Sequence, residues 1–366
     1  MKIFWTYDEL LTHLRRGGHE LLPLGGTPDG SPLVAVRTGG DKLPAVLITA
    51  GSHSTEHAGV SAAVELAGSL DTPHQVYVVP TRDPIGLNGF AYALELGLGH
   101  APDFSTFDAL ASILRESGTV LHDADDFIVA LIGDYGYACP VPRPDRSQPQ
   151  NYGYKRLQRL AGEQPDKLEP LRGRRLFMAP GQPGIEGSGD FGRAYTLIIG
   201  LDGEVLHLNR FHDTTWAPAE PRAVRDLMAQ IEPGISFDIH ESQLMEDRFW
   251  LSARRQEDPE GQVWEERAAQ AVIRAVVASG ARLANDADVS GGAPLEQTWF
   301  TRSEPGVYWL DATVRGEGLN LMDYASRHYG MAFGTEMGMY GRFADRVRLG
   351  MLTVTTALEV FAERHA

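Results

Sequence analysis

The chain predicts an α/β/α sandwich around a mixed, mainly parallel twisted sheet, and three observations carry that expectation. Residues 45–50 form an apolar run of the length a buried strand needs. Residues 59–69 then show helical spacing, and residues 75–80 are β-rich, so strand, turn, helix and strand follow one another as a βαβ unit. Much later, a helical stretch at 221–231 leads into a second short apolar strand at 234–239.

The remaining elements follow in order. Residues 7–16 read as a short helix. Residues 20–24 and 32–37 read as strands separated from 45–50 by Gly, Pro and Asp turns. Residues 260–280 form a long amphipathic helix and residues 343–364 a closing one. Between them, 331–339 is an apolar stretch. The segment 94–183 differs from its surroundings. It offers helices at 106–117 and 155–161, but 133–154 is crowded with Gly, Pro and Tyr, and so long an irregular stretch reads as an inserted cap or lid within one catalytic domain spanning 1–366. No internal repeat is visible.

Composition narrows the class. The 366 residues are 43% hydrophobic and 22% charged, enough to bury a core and inconsistent with disorder. A net charge of −16 disfavours nucleic acid and anionic membrane as main partners. The single cysteine, Cys139, excludes an intrachain disulfide and a cysteine-built zinc site. No run reaches membrane-spanning length, and charges interrupt the first residues before a signal core can form, so a cytoplasmic protein is expected.

The chemistry starts at the end of the 45–50 strand. There Gly51 opens a turn that carries His53-Ser54-Thr55-Glu56, at the kind of strand end where open α/β sheets hold their ligands. The second apolar strand delivers Asp238-Ile239-His240-Glu241. Two histidines and one carboxylate can bind one zinc and leave a position for water. His53 and His57 are four apart, but the helical zinc-protease pattern needs Glu directly after the first His, where this chain has Ser54. Glu56 is therefore the expected ligand, with His57 nearby only. Asp238 or Glu241 could orient His240 through its other nitrogen. Asn209-Arg210 suits bidentate capture of a carboxylate, although in isolation such an arginine more often makes a surface ion pair. Glu336, between Thr335 and Met337 in the apolar 331–339 stretch, would have its pKa raised by burial towards that of a useful general base. Together these residues point to a zinc hydrolase acting on amide bonds.

In this order the residues resemble the carboxypeptidase A-like zinc metallocarboxypeptidases and their succinylglutamate desuccinylase and aspartoacylase relatives. The matching pieces are His53-x-x-Glu56, Asn209-Arg210, Asp238-x-His240 and Thr335-x-Met337 around Glu336. The turn Leu24 to Gly30 and the stretch Val78-Val79-Pro80 with Asp83-Pro84-Ile85-Gly86 also agree. The resemblance covers most of the chain outside 94–183. It implies a carboxypeptidase-like fold, one zinc per chain on His53, Glu56 and His240, and Glu336 as general acid/base. Asn209 and Arg210 would hold a substrate carboxylate. Arg193 would be the oxyanion arginine, with Arg174 and Arg175 as alternatives. The implied substrate is a small peptide, or an N-acyl amino acid if the chain is a deacylase of the same fold; a zinc-free binding protein that kept the fold is the rival from another class.

Three departures stand out. The position of the family's aspartate that orients the first zinc histidine is His207, with Asp202 and Glu204 nearby as substitutes. Asp83 replaces an asparagine. The tyrosine over the substrate has three candidates, Tyr308, Tyr324 and Tyr329.

Overall fold

The computed structural model describes residues 1–141, 152–179, 191–242, 247–298, 300–310 and 318–366. Helix α1 (Tyr7–Arg16) begins at Thr6, whose hydroxyl accepts from the Glu9 amide. Strands β1 (Leu21–Gly26), β2 (Pro32–Gly39) and β3 (Lys42–Ala50) follow. Then come α2 (His57–Ser69), β4 (His74–Val79), α3 (Pro84–Leu87), α4 (Phe90–Leu98) and α5 (Phe107–Ser117). The next stretch is mostly strands: β5 (Thr119–Ala124), β6 (Phe127–Ile132) and β7 (Tyr135–Pro140), then α6 (Tyr152–Glu163), β8 (Arg175–Met178), β9 (Tyr195–Ile199) and β10 (Val205–His207). Helix α7 (Ala219–Ile231) leads to β11 (Ile235–Ser242), β12 (Arg248–Ala253), α8 (Pro259–Ala278) and β13 (Arg282–Leu283). The chain closes with α9 (Asp286–Ser290), β14 (Phe300–Glu304), β15 (Val307–Leu310), α10 (Leu321–His328), β16 (Met331–Gly338) and α11 (Phe343–Arg364).

The main sheet runs β1-β2-β4-β3-β11-β16-β12-β15-β14, with β13 beside β12. Its centre, β4-β3-β11-β16, is parallel, while β1, β2 and β12 join antiparallel to their inner neighbours. The apolar runs of β3 and β11 are buried on both faces, as central parallel strands require. One face packs on α2, α8 and α11 through Val64, Val272, Val347 and Val354; the other packs on α7 and α10 through Val224, Leu227 and Ala325. The α/β/α sandwich is therefore the observed architecture.

The segment read as an irregular cap has more order than its composition suggests. Its strands belong to a second sheet, β10-β9-β8-β7-β6-β5, antiparallel apart from the β7–β8 pair and carrying its own buried clusters around Phe177 and Leu197. Tyr135–Pro140, inside the stretch crowded with Gly, Pro and Tyr, is one of these strands, and the sheet continues beyond residue 183 to His207. Residues 142–151 and 180–190 lie outside the described residues. The reason for the difference is local: Tyr, Gly, Ala and Cys on a short strand buried on both sides leave no alternating pattern to read.

Candidate metal centre

Register places the site. In β11, His240 pairs with Glu336 of β16, and Glu336 pairs with Trp250 of β12. One pleat lower, Asp238 pairs with Gly334, and Gly334 with Ser252. Because side chains alternate faces along a strand, these six positions form two rows on one face of the sheet. Asp238 also pairs with Thr49, so the turn after Ala50 begins beside the upper row. Gly51 takes φ +61°, where a side chain would be strained and a Cβ would meet the Thr81 hydroxyl at 2.5 Å. That turn carries His53 and Glu56 over the end of β11.

His53, Glu56 and His240 converge, each offering a ligand atom within 4.8 Å of the others. Glu56 Oε1 lies 2.6 Å from His53 Nδ1, and its Oε2 lies 2.9 Å from His240 Nδ1. Each ring's second nitrogen is already engaged: His53 Nε2 is 2.8 Å from His207 Nδ1, and His240 Nε2 is 2.7 Å from Asp238 Oδ2. Both Nδ1 atoms are thereby aimed at one point beside a carboxylate. Two imidazole nitrogens and a carboxylate oxygen, with outer hydrogen bonds fixing the rings, are a donor set that fits a divalent metal.

The electrostatics agree. Against the cost of burial, His53 and His240 pull Glu56 down to about 2. Burial disfavours the charged ring of His240, but Asp238 and Glu56 outweigh it and hold the pKa well above the usual histidine range. Two carboxylates attract positive charge to this ring, as they would attract a metal ion. Asp238 is itself clamped: Arg82 donates to both of its oxygens at 2.6 and 2.7 Å, Thr49 Oγ1 donates at 2.9 Å, and Asn209 Nδ2 donates at 2.9 Å. Burial opposes the charge on Asp238, but Arg82 and His240 hold its pKa far below the carboxylate range. Glu336 goes the other way. Burial raises it to about 8, with Glu56 and Asp238 adding to the rise and His240 opposing.

No protein-family model matches the chain, and no curated protein matches it either. Solved structures do. A metallo-carboxypeptidase from Burkholderia cenocepacia superposes with a TM-score of 0.51 at 12% identity, over 99% of this chain and 71% of that one. A metallo-carboxypeptidase from Pseudomonas aeruginosa gives 0.48 at 14%, over 98% and 69%. Carboxypeptidase A from Helicoverpa armigera gives 0.48 at 12%, over 99% and 73%. The first of these carries the assignment. The fold is that of the metallo-carboxypeptidases.

Within this metallo-carboxypeptidase fold the expected residues divide into those that reach the cavity and those that do not. His53, Arg210, His240 and Glu336 line one cavity of about 140 Å³, together with Trp250, Phe300 and Met322. Asn209 also borders it, but its amide is committed to the protein. Its nitrogen donates to Asp238, and its oxygen accepts from Arg82 and from the Leu321 amide, both at 3.0 Å. It braces Asp238 instead of reaching outward.

Arg193 lies deeper. It is fully buried, donates to the Thr55 carbonyl between the two ligands of the turn, and is not among the residues lining the cavity. Arg174 pairs with Asp134 and Arg175 with Glu220, so neither alternative takes its place. Tyr308 bonds Asp286, and Tyr324 and Tyr329 pack on each other near His328; none of the three borders the cavity. Asp238, not Glu241, partners His240, because Glu241 accepts from the Ala58 amide at 2.7 Å and from Arg346. His57 opens α2 and is packed near Trp5, outside the ligand group.

Two contributors went unread in the sequence. Arg82 is the third residue after the end of β4, as His53 is after the end of β3, so the signal that singled out His53 was present there too. Tyr195, whose ring stacks on His53 at 5.4 Å and 15°, comes from β9 of the second sheet. Nothing in the sequence ties that sheet to the metal site.

Proposed function

We propose that this chain is a zinc-dependent metallocarboxypeptidase-like hydrolase, cleaving an amide bond next to a free carboxylate. The observation that carries the reading is the convergence of His53, Glu56 and His240 one strand away from Glu336. His53, Glu56 and His240 would hold the metal. Zinc bound there would polarise the scissile carbonyl and acidify a water.

The protein's own groups do the rest. Arg210 is the arginine that borders the cavity among the described residues, and its guanidinium would pair with the substrate carboxylate, fixing the scissile bond over the upper row of the sheet. Glu336 would take a proton from the attacking water and pass it to the leaving amine. Burial first, and then Glu56 and Asp238, raise its pKa to about 8, and positive charge held between His53, Glu56 and His240 would draw it down towards neutrality. Asp238, held by Arg82 and Asn209, would keep His240 in the ligating tautomer, and His207 would do so for His53. Arg193 would brace the turn through the Thr55 carbonyl.

The test is hydrolysis of blocked dipeptides by zinc-loaded protein, with release of the C-terminal amino acid as the readout. Hydrolysis that persists after chelation and dialysis would remove the metal from the mechanism. No hydrolysis of any carboxylate-terminated amide would remove the activity.

A further inference from the structure

We propose that the chain carries a second ligand site, independent of the metal centre, for a small organic anion of the phosphate-monoester class. The site is a cavity of about 690 Å³ between the C-terminal end of α8 and the N-terminal half of α11. Clefts that enclose small organic ligands typically measure ~300–1,000 Å³. Both helices cover the sheet face opposite α10, whose Met322 borders the metal cavity, and the two cavities share no lining residue.

Charge sets this cavity apart. Over the whole chain 49 acidic residues outnumber 33 lysines and arginines, yet Arg248, Arg282, Arg342, Arg346 and Arg348 all line it. Two aspartates, Asp247 and Asp345, are the acidic residues among them. Arg346 is buried and fixed: it donates to the Gly341 carbonyl at 3.0 Å and pairs with Glu241 behind the lining. Arg248 is half-buried and held by Asp288, also outside the lining. The other three are more than half exposed. Arg282 pairs with Asp247, while Arg342 and Arg348 share the single carboxylate of Asp345. Ion pairs this exposed add little stability, so these guanidiniums can turn to an arriving anion at small cost. That two of them already meet on Asp345 shows that both can reach one anionic group.

The ligand class follows from the lining. A phosphate monoester carries close to two negative charges near neutral pH and three acceptor oxygens, enough for guanidinium forks from more than one side. Leu349, Leu352 and Ala281 add an apolar wall for the esterified body. A large polyanion would meet the negative field of the whole chain, net charge −16, whereas a small dianion inside the cavity meets mainly the local arginines.

The experiment titrates the zinc-loaded chain by calorimetry with phenyl phosphate, and with inorganic phosphate for comparison. Phenyl phosphate should bind saturably at about one per chain, more tightly than inorganic phosphate, which has no apolar body. The Arg342→Ser/Arg348→Ser double variant, altered only at exposed side chains, should keep the wild-type unfolding midpoint and bind the probe about tenfold or more weakly. Arg210→Ala should bind it as the wild type does. Absence of saturable binding overturns the proposal, as does undiminished binding in the double variant. Loss confined to Arg210→Ala would put the probe in the metal cavity and overturn it too. Equal affinity for the two probes would leave the apolar wall without a part and overturns the organic class.

Discussion

The Nε2 of His53 lies 2.8 Å from the Nδ1 of His207. One of these nitrogens must carry the proton. Burial, Arg210 and His53 hold His207 well below the usual histidine range, so it is neutral. With His53 Nε2–H donating to His207 Nδ1, the Nδ1 lone pair of His53 is left for a metal. The ring of His240 is oriented by the clamped anion of Asp238 instead. One of the two histidines thus has a neutral partner and the other a charged one. Outer partners of this kind are worth about 10–100-fold in metal affinity. His207→Ala should therefore weaken zinc binding by about that factor, measured by competition with a chelator of known affinity. Unchanged affinity would mean that Tyr195 packing alone fixes the ring of His53.

Metal content is the simplest prediction. The purified protein should bind about one zinc per chain, since two histidines and one carboxylate make a site with a place left for water. His53→Ala and His240→Ala should each lose it in elemental analysis. A wild type with no high-affinity zinc site would end the hydrolase reading.

Much of this could be read before any coordinates. The strand ending at Ala50 and the shorter run leading to His240 are apolar and buried on both faces, and such runs announce themselves without help from tertiary context. His53 and Glu56 follow the first and His240 lies near the end of the second, so the same signal found them, while Glu336 stood out as a carboxylate inside the apolar stretch of β16. The roles of Asn209 and Arg193 were harder, because residue type says what a side chain can bond and not which way it faces. Asn209 was taken for a substrate contact, yet a buried carboxylate beside a ligand claims its amide. The second sheet escaped notice for a different reason. Its strands are short and, in β6, β7 and β9, buried on both faces, and β7 and β8 pair across a long stretch of chain, so no alternating periodicity marks them.

Arg210 should behave as a carboxylate clamp. Arg210→Ala is expected to lower kcat/KM on carboxylate-terminated substrates by about 100-fold, the usual consequence of removing one partner of a partly desolvated ion pair. Substrates with an amidated terminus have no charge to lose and should change far less. Comparable losses on both would place Arg210 in the scaffold.

Far from the site, Glu265 on α8 should leave a mark on stability. It is 1% exposed, one carboxyl oxygen accepts from Gln256 and the other has no partner. Burial pushes its pKa up to about 8, against the opposing hydrogen bond from Gln256. The sign follows from proton binding. Between the ordinary glutamate value of 4.5 and about 8, the unfolded chain has released this proton while the folded one keeps it. This contribution is therefore fully present below about 4.5, declines as pH rises, and is lost above about 8. Glu265→Gln cannot ionise. Denaturant titrations at pH 9 should find it more stable than the wild type, by on the order of a few kcal/mol. The difference should shrink steadily towards pH 5. A pH-independent difference would show that this carboxyl is charged in the folded state.

Glu336 separates chemistry from binding. It stands beside His240 in the upper row of the sheet and borders the cavity, but it is not one of the three converging ligands. Glu336→Gln preserves size and hydrogen bonding while removing the capacity to accept a proton. Zinc stoichiometry and the affinity for reduced-amide analogues, in which CH2–NH replaces CO–NH, should survive, because His53, Glu56, His240 and Arg210 are untouched. The hydrolytic rate should fall by the ~10²–10⁴-fold assigned to a positioned base. The wild-type pH–rate profile should also show an acidic limb, reporting the carboxylate that must be ionised to act, and the variant should lack it. Its role as a base gives that limb its direction, since activity climbs with pH as Glu336 loses its proton, and the raised pKa moves the limb to higher pH than an ordinary carboxylate would give. A variant that keeps near-normal turnover, or that loses its zinc, would show instead that Glu336 serves the metal site as structure.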